Sequence, residues 1–129
     1  MAFEAIEVQG GARSPQELME LFAAGVHAAD VDGLVRLYEP DAVFESAPGV
    51  VARGHGEIRG ALEQMLSLGP RLQVTPVQVL VAGDVALVVN EWTMTGTAPD
   101  GAVVERGGKS ADVVRRQPDG SWLVLVDRP

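Results

Sequence analysis

The segment ADVDGLVRLYEPDAVFE, residues 29–45, contains the pattern that decides the fold. Asp30 or Asp32 can cap a short helix, and Tyr38 is predicted to face inward near its end. Pro40 is expected to stop that helix, and a short strand over residues 42–46 follows at once. A helix that leads into a strand with an aromatic residue and a carboxylate predicts helices packed on a curved β-sheet.

The rest of the chain supplies two more helices and four longer strands. Ser14-Pro15-Gln16-Glu17 is typical of a helix start, and a third helix is predicted over residues 56–68. Turn residues separate strands over 72–82, 85–97, 103–116 and 122–127, and Gly107-Gly108 predicts a bulge or bend. This order predicts an α+β fold with helices on one face of an antiparallel sheet. Residues 1–13 are expected to form a loose arm, and residues 14–129 a single domain.

Composition excludes several classes of protein. The chain has 129 residues, 47% of them hydrophobic, which is enough for one folded core. It contains no cysteine, so disulfides and cysteine-ligated zinc are excluded. A net charge of −8 disfavours nucleic-acid binding, and no apolar run is long enough to span a bilayer. The N-terminus lacks the basic start of a signal peptide, which predicts a cytoplasmic location.

Two stretches carry a resemblance to a known family. DVDGLVRLYEPDA at residues 30–42 and ADVVRRQPDGSWLVLVD at 111–127 resemble the SnoaL-like proteins of the nuclear-transport-factor-2-like superfamily. That group includes polyketide cyclases and ketosteroid isomerases. The resemblance covers residues 14–128. It implies a cone-shaped, curved antiparallel sheet wrapped around the third helix, a pocket at the wide end, and a dimer.

The resemblance also allows a test of two activities. Alignment with the ketosteroid isomerases puts Phe22 at their oxyanion-hole tyrosine, Ser46 at their base and Asp112 at their oxyanion aspartic acid. Phe22 has no hydroxyl and Ser46 is no base at neutral pH, so that mechanism is not expected. The cyclase branch implies an acid/base aspartate on the pocket side of the last strands. Asp112 and Asp127 are the catalytic candidates.

Side chains alternate between the two faces of a β-sheet, and this alternation predicts the face on which each carboxylate lies. On the strand over 103–116, Asp112 shares a face with Ser110 and Arg106. On the last strand, Asp127 is predicted to share a face with Leu123 and Leu125, which is typical of a buried carboxylate with a raised pKa. Such a group exchanges protons near neutral pH. The alternative is that Asp127 is solvated at the strand end, or pairs with Arg128 or Arg106.

Aromatic residues recur where a pocket wall is expected. Trp92, Phe44, Tyr38 and Phe22 are candidates to bind a flat organic ligand, and ordinary core packing is the alternative. Ser110 and Ser46 are further substrate-binding candidates, with Glu45 pointing away from the pocket. His27 and His55 lack metal-ligand spacing. His27 suits the end of the first helix, and His55 is predicted to lie in an exposed loop. Neither a metal nor an organic cofactor is expected.

Two functions therefore remain open. The first is a small enzyme that acts on a hydrophobic carbonyl compound through Asp112 and Asp127. The second is a non-catalytic module that binds a hydrophobic small molecule or serves as a dimerisation surface. Val103, Val113, Val124 and Val126 are predicted to form a homodimer contact on the sheet. The ending Asp-Arg-Pro after a strand suggests a truncated tail.

Overall fold

The computed structural model describes residues 11–129, and in this range three helices pack on a six-stranded sheet. The helices are α1 (Pro15–His27), α2 (Val31–Val35) and α3 (Gly54–Leu66). The strands are β1 (Tyr38–Ala47), β2 (Val50–Arg53), β3 (Arg71–Ala82), β4 (Val85–Thr97), β5 (Val103–Arg116) and β6 (Trp122–Asp127). The mixed α+β class predicted from the sequence is confirmed.

Both predicted helix starts are present. The Ser14 hydroxyl accepts a hydrogen bond from the Glu17 amide at 3.0 Å, and the Asp30 carboxylate accepts one from the Gly33 amide at 3.0 Å. These caps satisfy amides that the first helical turn leaves without a partner. Helix α2 ends at Val35, and Tyr38 is the first residue of β1. Tyr38 is therefore a strand residue and not a helical one, and Pro40 lies inside β1.

The sheet is curved and does not close, with the strand order β2-β1-β6-β5-β4-β3. Its pairs are antiparallel except β1–β6, which is parallel. The expected fully antiparallel sheet is thus a mixed one. The register of β1 against β6 shifts between Tyr38 and Val43. Pro40, which has no amide hydrogen to donate, lies within that irregular stretch.

The sheet contains β-bulges, but they do not lie at Gly107-Gly108, where a bulge or bend was predicted. The register of β4 against β5 runs without a shift through both glycines. Gly108 lies opposite Trp92, and a Cβ on it would be 3.5 Å from the indole nitrogen. The glycines therefore make room for a neighbouring side chain and strand. Register shifts occur instead in β3 between Pro76 and Gln78, and in the β5–β6 pair next to Val113.

The core lies between the inner face of the sheet and the helices. Its most deeply buried side chains come from all three helices and from β1, β4 and β5, and include Leu18, Leu34, Tyr38, Ile58, Leu62, Val88 and Val114. Residues 1–10 of the predicted arm are outside the described range. Ala12 is fully buried, and its carbonyl accepts a hydrogen bond from the Trp122 amide. In residues 11–129, no helix is long and apolar enough to cross a membrane.

Candidate functional site

A cavity of about 510 Å³ lies between the inner face of the sheet and helices α1 and α3. This volume falls within the range of small-molecule sites in proteins. Apolar side chains from α1, α3 and the strands form most of its wall: Met19, Phe22, Phe44, Ala61, Met65, Leu68, Leu72, Val74, Trp92, Met94 and Val124. Polar side chains from β4, β5 and β6 occupy one part of the wall.

A bulge in β6 brings the two candidate aspartates together. Val114 pairs with Val124 and Val113 pairs with Val126, so Leu125 is an extra residue in β6. Beyond an extra residue the alternation of faces is reversed. Asp127 therefore shares the inner face with Val124 and lies next to Asp112, whereas the simple alternation predicted it beside Leu123 and Leu125. Both aspartates line the cavity.

The two carboxyl groups form a hydrogen-bonded network with a buried tyrosine. Asp112 and Asp127 share a hydrogen bond, in which Asp112 is the protonated donor. The Tyr38 hydroxyl donates to Asp127 Oδ2 at 2.5 Å, and the Arg128 amide donates to Asp112 Oδ1 at 3.1 Å. Asp127 thus accepts two hydrogen bonds, which favour its ionised form over that of Asp112.

Burial sets the acidity of this pair. Loss of solvent, followed by the charge of Asp127, raises the pKa of Asp112 to about 9. Burial also raises the pKa of Asp127, against the hydrogen bonds from Tyr38 and Asp112, which lower it. Burial and the neighbouring Asp127 raise the pKa of Tyr38 well above its usual value, so Tyr38 stays a hydrogen-bond donor.

A second buried carboxylate shows what a cationic partner does. Glu39 accepts hydrogen bonds from Arg115 at 2.7 and 2.6 Å and from Gln117 at 2.9 Å. The Arg115 hydrogen bonds lower the pKa of Glu39. By contrast, in residues 11–129 neither Asp112 nor Asp127 forms a salt bridge with lysine, arginine or histidine, so the alternative pairing of Asp127 with Arg128 or Arg106 is absent.

The aromatic candidates occupy two layers. Phe22, Phe44 and Trp92 line the cavity. Tyr38 lies behind that wall, with 1% of its surface exposed, and packs against Phe22 and Phe44 at ring-centroid distances of 6.4 and 6.2 Å. Tyr38 therefore reaches the cavity only through Asp127, not as a lining residue.

Polar side chains other than the two aspartates also line the cavity. Ser110 and Ser46 both line the cavity. The Glu45 carboxylate instead accepts a hydrogen bond from the Gly49 amide at 3.4 Å, outside the cavity. Asn90, which the sequence interpretation did not single out as a site residue, also lines the cavity, and its Nδ2 donates to Ser110 Oγ at 3.4 Å. Its position opposite Ser110 in the β4–β5 register is the signal that would have identified it.

The histidines take structural positions. His27 Nε2 accepts a hydrogen bond from the Leu72 amide at 3.1 Å, which ties the end of α1 to β3. His55 lies in the first turn of α3, not in an exposed loop, and its Nε2 is 2.7 Å from the Tyr38 carbonyl oxygen. Among the described residues, no group of three or more His, Cys, Asp or Glu side chains could hold a metal ion.

The arrangement can hold and transfer a proton beside an apolar ligand. One carboxyl group of the pair is protonated and can donate to an oxygen of the ligand. The other carboxyl group, that of Asp127, also has a pKa raised by burial, which increases its basicity. Two titratable groups whose environments separate their protonation states are typical of acid/base pairs in enzymes. Phe22, Phe44 and Trp92 line the same cavity and offer aromatic surface to a hydrophobic ring system.

Comparison with known proteins gives a family and a set of similar structures. The sequence model described as the SnoaL-like domain matches residues 18–124. None of the curated proteins matches this chain in sequence.

Several solved structures have the same fold, and two of the three described here are named as nuclear-transport-factor-2-like proteins. A nuclear-transport-factor-2-like superfamily protein from Salmonella enterica serovar Typhimurium is 19% identical, with a TM-score of 0.77 over 87% of this chain and 84% of its own. A Streptomyces avermitilis protein, provisionally named a dehydratase, is 20% identical, with a TM-score of 0.75 over 86% and 89%. A Novosphingobium aromaticivorans protein, provisionally named an aromatic ring hydroxylase, is 26% identical, with a TM-score of 0.78 over 87% and 82%.

Proposed function

Because this chain belongs to the SnoaL-like domain family, we propose that it is an acid/base enzyme of the isomerase or cyclase type, acting on a hydrophobic carbonyl compound without a cofactor. Asp112 and Asp127 are the proposed catalytic residues. Phe22, Phe44, Trp92, Ser46 and Ser110 are the proposed substrate-binding residues. Tyr38 is a positioning residue, since it contacts Asp127 from behind the cavity wall.

The single observation that supports this proposal most strongly is the shared hydrogen bond between two carboxyl groups that line one cavity. A purely structural pair of acids in a core is costly, because burial penalises each charged form. Such a cost is often found where a proton must be held at neutral pH. The cavity beside the pair gives a ligand access to both groups.

The proposed chemistry is proton removal next to a carbonyl group. Asp127 takes a proton from the carbon beside the carbonyl, and the C–H electron pair forms a C=C bond. The carbonyl π electrons move to oxygen, which receives a hydrogen bond or the proton from Asp112. The enol then regains a proton at another carbon, which is an isomerisation, or its carbon attacks a second carbonyl of the same molecule, which is a cyclisation.

Hydrogen–deuterium exchange tests this chemistry without knowledge of the natural substrate. A panel of one- to three-ring ketones, including 2-tetralone, is incubated with the protein in D₂O, and exchange beside the carbonyl is followed by NMR. We expect the protein to accelerate exchange by about 100-fold or more over free carboxylate buffer. Asp127→Asn should abolish the acceleration, and Asp112→Asn should reduce it strongly.

Asp41→Asn is the matched control, since Asp41 is an exposed aspartate on β1 that does not line the cavity. It should exchange at the rate of the unchanged protein. Ketones that bind in the cavity without any acceleration of exchange would refute the catalytic proposal. That result would instead support the second function, a module that binds hydrophobic small molecules, which rests on the same cavity.

The proposal includes a homodimer formed through the outer face of the sheet. Val113 and Val126 lie on that face beside Leu80, Leu87 and Val89, and these five side chains are called the outer-face patch below. Leu80 is 53% exposed and Leu87 39% exposed, which is unusual for neighbouring apolar residues of a monomer. Val124, predicted to share this face, is buried on the inner one.

A cytoplasmic location and the absence of membrane and nucleic-acid partners complete the proposal. The net charge of −8 supports the exclusion of nucleic acid, because phosphate backbones repel an acidic surface.

A further inference from the structure

We propose that the ligand is a hydrophobic anion whose negative group is bound by Arg106 at the open end of the cavity, away from the Asp112–Asp127 pair. This inference rests on the proposed function for the pair, and adds the charge and orientation of the ligand. Arg106 is the one basic side chain among the described residues that line the cavity.

The position of Arg106 in β5 places it on the cavity side of the sheet. Arg106, Ser110 and Asp112 alternate on the inner face, and Arg106 pairs with Met94 of β4, which pairs with Leu72 of β3. Met94 is 5% exposed and Leu72 8% exposed, so the base of the arginine lies among buried apolar side chains. Arg106 itself is exposed, whereas Ser110 and Asp112 are buried. The cavity therefore opens at the arginine and closes at the aspartates.

Arg106 has no acidic partner within the part of the chain that the structure describes. The salt bridges among residues 11–129 use Arg59, Arg115 and Arg116, and no carboxylate of that range lies within 4.0 Å of Arg106. Because Arg106 is exposed to solvent, its charge needs no carboxylate partner for structural reasons. The vacant hydrogen-bonding face of a guanidinium is suited to a carboxylate, sulfonate or phosphate of a ligand.

Charge separation along the cavity would fix the direction in which the ligand enters. Asp112 is six positions beyond Arg106 along β5, which is about 20 Å of extended strand before the reach of the arginine side chain is subtracted. An anionic group is attracted to the arginine and disfavoured beside the two carboxyl groups at the closed end of the cavity. The uncharged part of the ligand, with its carbonyl, is thereby directed towards the carboxyl pair.

Two fluorescent probes with the same ring system test this inference. 8-Anilinonaphthalene-1-sulfonate carries an anionic group, and N-phenyl-1-naphthylamine is the same skeleton without it. We expect Arg106→Gln to weaken binding of the sulfonate about 10-fold and to leave binding of the neutral probe unchanged. Arg106→Lys should keep most of the affinity, and about 1 M salt should remove most of the difference between the proteins.

Arg71→Gln is the matched control, because Arg71 is an exposed arginine on β3, two strands away from β5, that does not line the cavity. It should bind both probes as the unchanged protein does. Equal loss of sulfonate affinity in Arg71→Gln and Arg106→Gln, or no loss in Arg106→Gln, would overturn the inference and leave the carboxyl-pair proposal intact. Failure of both probes to bind the unchanged protein would overturn the inference and would count against the cavity as a hydrophobic site.

Discussion

At the scale of single residues, the pKa of a carboxyl group is set by its neighbours and not by its type. Glu39 and Asp112 are both buried, yet Arg115 lowers the pKa of Glu39 while burial beside Asp127 raises that of Asp112. The alternation of side chains predicted the face of Asp112 and Ser110. The sequence near Asp112 does not indicate that its partner is a second acid, because Asp127 is brought next to it only by the pairing of β5 with β6.

The raised pKa of Asp112 predicts how stability depends on pH. In the unfolded chain Asp112 ionises near its usual pKa of 3.8, and in the folded protein it keeps its proton to about pH 9. Between these values the folded state binds more protons than the unfolded state, so the free energy of unfolding decreases as pH rises. An asparagine side chain has no titrating proton, yet its amide can still donate to Asp127. The free energy of unfolding of Asp112→Asn should therefore decrease less as pH rises.

Thermal unfolding at pH 5, 7 and 9 measures this effect. We expect the Tm of Asp112→Asn to be higher than that of the unchanged protein by roughly 3–8 °C at pH 9, and by much less at pH 5. Asp41→Asn, at an exposed position, should follow the unchanged protein throughout. A Tm of Asp112→Asn that falls with pH as steeply as that of the unchanged protein would exclude a proton held on Asp112.

At the scale of secondary structure, strand ends were more predictable than strand irregularities. The predicted bounds of β4, β5 and β6 agree with the structure, because Gly-Asp and Pro-Asp-Gly turns mark their ends. The extra residue Leu125 has no such marker, since Trp122–Asp127 alternates like a regular strand. The end of α2 was missed by a few residues, because Pro40 is tolerated within the irregular start of β1. That error placed Tyr38 in the wrong element.

Two glycines inside helices predict opposite effects of the same substitution. Gly25 of α1 faces α2 closely, and a Cβ on it would be 2.7 Å from Leu34 Cδ2, a fully buried side chain. Gly60 of α3 has open space around its Cα. Gly25→Ala should destabilise the protein by about 1–3 kcal/mol, because the core around Leu34 must shift. Gly60→Ala should stabilise it by about 0.5–1 kcal/mol through helix propensity alone.

Denaturant unfolding of the two variants measures this difference in the free energy of unfolding. Each variant serves as the control for the other, since both replace an interior helical glycine by alanine. Stabilisation by Gly25→Ala would mean that α1 and α2 do not pack as closely as the structure shows.

At the scale of the whole molecule, the sequence predicted the fold more completely than it predicted the residues of the cavity wall. Element order and two sequence stretches led to the SnoaL-like family, which the match to residues 18–124 confirms. The parallel β1–β6 pair was not predicted, because pairing of distant strands leaves no local pattern. Asn90 was missed for the same reason, since only its neighbour across the sheet shows that it belongs to the polar wall.

The outer-face patch predicts a change of oligomeric state. Leu87→Glu introduces a charge at the centre of the patch and should convert a dimer into a monomer, because an unpaired charge is costly in an interface. Val81→Glu is the control, since Val81 is 58% exposed but pairs with the buried Ala86 on the opposite face of the sheet. Sedimentation equilibrium measures the masses. A monomer at all concentrations for the unchanged protein would contradict the proposed dimer.

Titration of the aspartate carboxyl carbons by ¹³C NMR tests the shared proton of Asp112 and Asp127 most directly. Protein labelled at the side-chain carboxyl carbon of aspartate is titrated from about pH 3 to pH 10, with Asp112→Asn and Asp127→Asn used to assign the two resonances. We predict that both resonances titrate well above the exposed aspartates, with Asp112 protonated at neutral pH, and that Asp127→Asn lowers the pKa of Asp112. Two resonances that titrate independently near pH 4 would contradict the carboxyl pair and the chemistry proposed for it.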